Sequence, residues 1–192
     1  MMSEASTFLY FVRHAESRYV EGQERERGLT EQGHQDAGTV ASLLHGEQIQ
    51  LFYSSPYRRA VDTIQILADW SGGIVVTEED LRERQLSSSD VKHHNFREAK
   101  QQLYRDPTYA YSGGESGEQA RLRAVAVIEK ILDRHADHKV VIGTHGDVMT
   151  LILQHYDSSY SYDFWEKTTM PDIYKLQFDG TQKLVQVTRL WE

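Results

Sequence analysis

The chain has 192 residues, 26% of them charged, a formal net charge of −8 and no cysteine. That length suits one compact domain, residues 1–192, and the missing cysteines exclude disulfides, thiolate metal sites and cysteine nucleophiles while fitting a reducing, cytoplasmic setting. The acidic balance argues against a nucleic-acid partner, and apolar runs of about five or six residues fall far short of the roughly 20 needed to cross a membrane.

Met1–Thr7 carries no basic residue and no long apolar segment, so no secretory signal is expected. Residues 8–13 read as a buried strand that runs into Arg13-His14-Ala15-Glu16-Ser17. In open α/β sheets ligands bind at the carboxyl edge of the strands. An arginine able to fork two phosphate oxygens, beside a nucleophilic imidazole, is how a phosphoryl-transfer site begins. Thr30 is an expected N-cap for a helix with Ala37, Val40, Ala41 and Leu44 on its inner face. Ile49 to Tyr53 reads as a second strand. Ser55-Pro56 reads as an N-cap followed by proline at the first helical position, with Ala60, Ile64 and Leu67 turned inward. Ile74-Val75-Val76 reads as a third strand.

Residues 80–114 are the least regular part, with a helix expected over about 95–104 and a turn at Gly113-Gly114. A long helix follows from about Ser116 to His135. Lys139 to Thr144 is a buried strand of the kind found inside parallel sheets. It ends at His145-Gly146, where another helix is expected over 146–156, so a histidine again stands at the carboxyl end of a strand. Ile173–Phe178 and Leu184–Leu190 alternate about Asp179-Gly180 and read as a hairpin. The expected fold is α/β: a three-layer sandwich whose mostly parallel central sheet is flanked by helices, with a late antiparallel hairpin at one edge.

These motifs, in this order, resemble the histidine phosphatase superfamily, in the branch of the cofactor-dependent phosphoglycerate mutases. Arg13-His14-Ala15-Glu16-Ser17 is similar to the family's Arg-His-Gly-Glu-Thr/Ser. Leu29-Thr30-Glu31-Gln32-Gly33 matches Leu-Thr-x-x-Gly. Ser54-Ser55-Pro56-Tyr57-Arg58-Arg59-Ala60 with Thr63 matches Ser-Ser-Pro-x-x-Arg-Ala-x-x-Thr. Leu81-Arg82-Glu83, Gly114-Glu115-Ser116 and Thr144-His145-Gly146 complete the set. Three positions depart from it: Ala15 replaces glycine, Val20 an asparagine and Ser87 a glycine.

The resemblance implies a phosphomonoester hydrolase acting on a small phosphorylated metabolite. His14 would be the nucleophile, Arg13, Arg59 and His145 would hold the phosphoryl oxygens, and Glu83 would act as acid and then base. Ser17 and Gly146 are further expected substrate contacts. Neighbours about 100° apart on a helix cannot both face one pocket squarely, and the resemblance implies Arg59 rather than Arg58 as the clamp. No metal and no other cofactor is expected. Two rivals remain: mutase-type transfer back to a phosphoglycerate, and a phospholigand-binding protein without turnover.

Residues 84–114 are expected to cover the substrate, with Lys92, His93 and Arg97 within reach of its tail. His93-His94 lacks the partners of a metal site. Glu115 and Ser116 are expected to cap the long helix. The aromatic residues Tyr156, Tyr160, Tyr162, Phe164 and Trp165 are expected to pack around the hairpin, with a homodimer contact as the second reading.

Overall fold

The computed structural model describes residues 5–192, so residues 1–4 of the stretch read for a secretory signal lie outside the described residues. In chain order the elements are β1 (Thr7–Arg13), α1 (Glu31–His45), β2 (Leu51–Ser54), α2 (Arg58–Trp70), β3 (Val75–Thr77), α3 (Phe96–Arg105), α4 (Gly117–Arg134), β4 (Lys139–Thr144), α5 (Gly146–Tyr156), α6 (Tyr162–Lys167), β5 (Asp172–Phe178) and β6 (Leu184–Arg189), with a 3₁₀ turn at Glu79–Leu81.

Four successive residues of β1, Leu9 to Val12, have no exposed surface. Alternate side chains of a strand point to opposite faces, so Leu9 and Phe11 enter one core and Tyr10 and Val12 the other. β4 divides in the same way: Val140 and Ile142 join Leu9, and Val141 joins Tyr10. Each such buried side chain contributes about 1.5–3 kcal/mol, which is realised only when helices cover both faces. α1 and α2 supply Val40, Leu44, Ile64 and Leu67 to the Tyr10 side. α4 and α5 supply Ile128, Leu132, Val148 and Ile152 to the Leu9 side.

The sheet has six strands in the order β3-β2-β4-β1-β5-β6. β3, β2, β4 and β1 run parallel, while β5 is antiparallel to β1 and β6 to β5. The expected three-layer α/β architecture with an antiparallel edge is the observed one. Among the described residues no helix is long and apolar enough to cross a membrane.

β1 and β4 are neighbours, with Arg13 opposite Thr144. The chain leaves β1 for α1 on one face and leaves β4 for α5 on the other. Such a divergence opens a crevice at the strand ends, and His14 and His145 are the residues at its two lips.

Several boundaries shift by a residue from expectation, as β3 does to Val75–Thr77, and two larger shifts have a visible cause. β2 starts at Leu51 rather than Ile49, because Gln48 sits at φ 56° and the chain is still turning toward the sheet there. Ser55-Pro56 does not cap α2, which begins at Arg58 after an extended Tyr57. The Ser55 N–H is still bonded to the Gly143 carbonyl at 2.9 Å, so the chain leaves the sheet only after it. α6 and the 3₁₀ turn escaped sequence reading because six and three residues are too short to show a helical period. The caps at Thr30 and Ser116 fall where the sequence places them: Thr30 accepts from the Gly33 N–H, and Ser116 forms a capping box with Gln119; Asn95, expected inside its helix, instead caps it by accepting from the N–H groups of Arg97 and Glu98.

Candidate active site

The His14 and His145 ring centroids are 5.3 Å apart. His14 Nδ1 lies 2.8 Å from the Ala15 carbonyl oxygen. A carbonyl only accepts, so Nδ1 carries the proton and Nε2 keeps its lone pair. The Ala15 carbonyl also faces the positive charge that the ring gains when Nε2 attacks an electrophile. Ala15 itself replaces the family's glycine without strain. It is absent from the positive-φ residues, its N–H reaches Thr63 Oγ1 at 2.9 Å, and its methyl packs with Leu29 and Ala37.

The loop after His14 is held from beneath by the Leu-Thr-x-x-Gly segment. Thr30 donates its backbone N–H to the Glu16 carbonyl at 3.0 Å and its hydroxyl to Glu16 Oε1 at 2.7 Å. A Cβ on Gly33 would lie 2.1 Å from that same carbonyl oxygen, so only glycine allows the approach.

His145 Nε2 meets Ser55 Oγ at 2.7 Å, and its Nδ1 is buried without a hydrogen-bond partner. When the Ser55 hydroxyl donates to Nε2, Nδ1–H is left to donate to a ligand. Ser55 therefore orients the second histidine, a role the cap reading had hidden.

Two arginines flank the pair. Arg13 donates NH1 to Thr168 Oγ1 at 2.6 Å and to the Thr168 carbonyl at 3.1 Å, and its Nε is buried and unpartnered. A Cβ on Gly146 would lie 2.9 Å from the Arg13 Cζ, so glycine at that helix start lets the guanidinium lie close over the backbone. Arg59 is 2% exposed, packs its guanidinium 4.9 Å from the Tyr57 ring centre, and also has a buried, unpartnered Nε. Arg58 instead pairs with Asp62 on the exposed side of α2.

Burial, then the charge of Arg59 and, more weakly, Arg13 and Arg27, hold His14 well below the usual histidine range. Burial, then Arg59 and His14, do the same for His145. Both rings therefore stay neutral below pH 6.5, where the unfolded chain takes up protons. The folded protein binds fewer protons there, so its stability falls as pH drops below 6.5, by up to about 1.4 kcal/mol per pH unit for each histidine. Imidazole nitrogen shifts of the free protein at pH 6.0 should show His14 neutral with its proton on Nδ1. A His14 titration centred at 6.5 would contradict this placement.

Glu83 stands at the start of α5. Its Oε2 accepts from the Asp147 N–H at 3.1 Å, and its Oε1 from the N–H groups of Val148 at 3.0 Å and Arg84 at 2.9 Å. The helix N-terminus thus spends two donors on Glu83 rather than on an outside anion, contrary to the simplest reading of such a terminus. The preceding turn is clasped by Arg123, which donates to the carbonyls of Asp80 and Arg82 at 2.7 and 2.9 Å. Glu115 holds Arg123 through two 2.7 Å bonds. Glu115 therefore braces the Glu83 segment and does not cap α4, while Ser116 does.

Behind Glu83 lies a buried ionic cluster unseen in the sequence. Asp147 pairs with Arg84 at 3.1 Å, with Lys100 through a short ion pair, and accepts from the Tyr104 hydroxyl at 2.8 Å. Burial alone would raise the Asp147 carboxyl, but Lys100 and Arg84 outweigh it and hold it below the usual range. This cluster ties α3 to the first turn of α5, and thus to the residue whose N–H holds Glu83. Lys100 also sits 5.3 Å from the Trp165 ring centre and 5.4 Å from that of Phe96.

Ser17 accepts a hydrogen bond from Arg27, an arginine that sequence reading passed over. In residues 84–114, His93 meets Ser87 Oγ at 2.9 Å, and exposed Arg97 pairs with Glu166, so both have protein partners. Among the described residues no three His, Asp or Glu side chains gather as metal ligands. Tyr156, Tyr160 and Phe164 pack on the hairpin through Phe178 and Tyr174, whereas Tyr162 and Trp165 lie toward α3.

Two histidines and two arginines gather just past the ends of adjacent parallel strands, where the helices diverge, and the chain belongs to the histidine phosphatase superfamily, branch 1, whose family model matches residues 9–189. It is 33% identical over 172 residues to phosphoglycerate mutase-like protein 4 of Arabidopsis thaliana, covering 83% of this chain and 73% of that protein. It is 30% identical over 166 residues to a metal-independent phosphoserine phosphatase of the same plant, covering 76% and 67%. Its fold matches a mycobacterial glucosyl-3-phosphoglycerate phosphatase with a TM-score of 0.76 at 22% identity, over 97% and 98% of the two chains.

Proposed function

We propose that the protein hydrolyses a small phosphorylated metabolite through a phosphohistidine on His14. The observation that carries this reading is the set of buried N–H groups without partners, on Arg13, Arg59 and His145, around a histidine whose Nε2 is free. A buried donor left without an acceptor costs about 1–3 kcal/mol. The three equatorial oxygens of a phosphoryl group supply acceptors of the right charge.

In the first step His14 Nε2 forms a bond to phosphorus as the bond to the leaving oxygen breaks, and Glu83 gives that oxygen a proton. In the second step Glu83 takes a proton from water, the water oxygen bonds to phosphorus, and the N–P bond breaks, returning neutral His14. The arginines and His145 stabilise charge on the phosphoryl oxygens in both steps. Ser17 serves the site through Arg27, and Gly146 by admitting the Arg13 guanidinium. Residues 84–114 cover the substrate, with α3 pinned through Lys100 and Tyr104. Relatives named for phosphoserine and for glucosyl-3-phosphoglycerate favour a metabolite that carries a second anionic group.

The purified protein should release phosphate from an aryl phosphate in the presence of excess chelator. Loss of turnover on chelation, restored by a divalent cation, would contradict the reading. A panel of phosphomonoesters ranked by kcat/KM would then identify the substrate.

A further inference from the structure

Residues 18–28 connect the first histidine loop to the Leu-Thr-x-x-Gly segment, and their charges alternate: Glu24, Arg25, Glu26, Arg27. Such a run reads as a solvated loop. The structure separates its members. Arg25 pairs outward with Glu79. The Arg27 side chain is only 14% exposed and donates to Ser17 Oγ, four residues from the catalytic loop's Arg13. Glu24 Oε2 lies 3.3 Å from Arg27 NH2, 3.4 Å from Arg27 Nε and 3.4 Å from Arg59 NH2. One carboxylate oxygen thus bridges the loop arginine and the buried arginine of the phosphoryl clamp. The Glu24 backbone carbonyl also accepts from Arg59 NH1.

Two guanidinium groups facing one anionic oxygen make a charge-assisted anion site. The carboxylate now in it belongs to a side chain that is half exposed, at 51%, while Arg59 is 2% exposed. Burial lowers Arg59 to about 10 and the Arg27 charge pushes in the same direction, with Glu24 opposing. The arginine pair therefore requires an anion, and a monoester phosphate brings about −1.5 to −2 charges and three strong acceptor oxygens against the single charge of Glu24.

We propose that Arg27 is a third phosphoryl-binding arginine of this enzyme and that Glu24 is an internal substrate mimic, whose carboxylate bridges Arg27 and Arg59 until a phosphoryl oxygen displaces it. The proposal rests on the phosphomonoesterase reading and adds to it a residue and a competition. Substrate affinity is then set partly by the loop's own carboxylate. Departure of Glu24 breaks its ion pairs with both arginines as phosphate makes its own. Ser17 holds Arg27 in place throughout.

The test uses the full chain, with inorganic phosphate as the probe. Phosphate affinity is measured by calorimetry, and as a Ki against an aryl phosphate. Glu24→Gln keeps the shape of the side chain and removes its charge, so the Ki and KM should fall about two- to fivefold, the scale of a partly exposed charge pair. Arg27→Gln should raise both by about tenfold or more, the scale of a charged hydrogen bond, with partial recovery in Arg27→Lys. In an Arg27→Gln background the Glu24→Gln effect should shrink, since the two side chains share one interaction. A purely structural salt bridge would lower the unfolding temperature of Glu24→Gln and leave phosphate affinity unchanged or weaker, and that result overturns the proposal. Wild-type protein that neither binds phosphate nor releases it would overturn the phosphatase reading itself. Normal wild-type turnover with unchanged Ki in both single variants overturns only the proposal.

Discussion

His14→Ala should reduce phosphate release by about 10⁴-fold or more, the scale on which removal of an enzyme's nucleophile acts. No other side chain stands ready to replace it. His145 is tied through Nε2 to Ser55, and the arginines carry no lone pair to offer. The loss should be in kcat. Arg13, Arg59 and His145 remain to bind the phosphoryl group, so phosphate affinity should change far less. His14 is 6% exposed and its ring lies at the crevice rather than in either large core cluster, so the variant should fold. Radiolabelled substrate, quenched in base, should label the wild type on an acid-labile bond and leave His14→Ala unlabelled. A variant with near-normal turnover, or label that survives on it, would remove His14 from the reaction.

Glu83→Gln should lower kcat by about 10²–10⁴-fold, the range of general acid–base catalysis, and the loss should depend on the leaving group. A nitrophenolate departs without a proton, so the first step survives. An alkoxide needs one, so alkyl phosphates should lose most. The second step needs Glu83 as base for water whatever the substrate. With nitrophenyl phosphate the variant should therefore accumulate phosphohistidine, visible as a burst of one nitrophenol per active site before a slow steady state. An equal loss for aryl and alkyl esters without a burst would mean that Glu83 only props the start of α5. Thermal unfolding of the variant measures that structural share directly, since the amide nitrogen cannot accept the Asp147 N–H that Oε2 now accepts.

How much of this was legible in the chain differs from residue to residue. β1, β4 and their histidines were readable because a short apolar run ending in a polar dyad is a local pattern. Thr30 and Ser116 are readable as caps because a cap needs only its own side chain and the next three residues. Glu115 was misread for the same reason: its partner Arg123 is eight positions away, and the bond's purpose lies in the carbonyls of residues 80 and 82. Arg27 and Glu24 match none of the sequence motifs, and nothing in the loop's composition tells which of two arginines turns inward.

The alternation of strands and helices, the two histidines at strand ends and the motifs of a phosphatase superfamily are all written in neighbouring residues, so the chain shows them before it folds. What holds the site is visible only in the folded molecule. Arg13 is anchored by Thr168, 155 positions away; Asp147 is closed over by Arg84, Lys100 and Tyr104; Glu83 hangs on the N–H groups of a helix 64 positions on. These links join charged or polar groups distant in the chain, and each becomes favourable only after hydrophobic packing has brought the partners together and removed the water that would otherwise satisfy them.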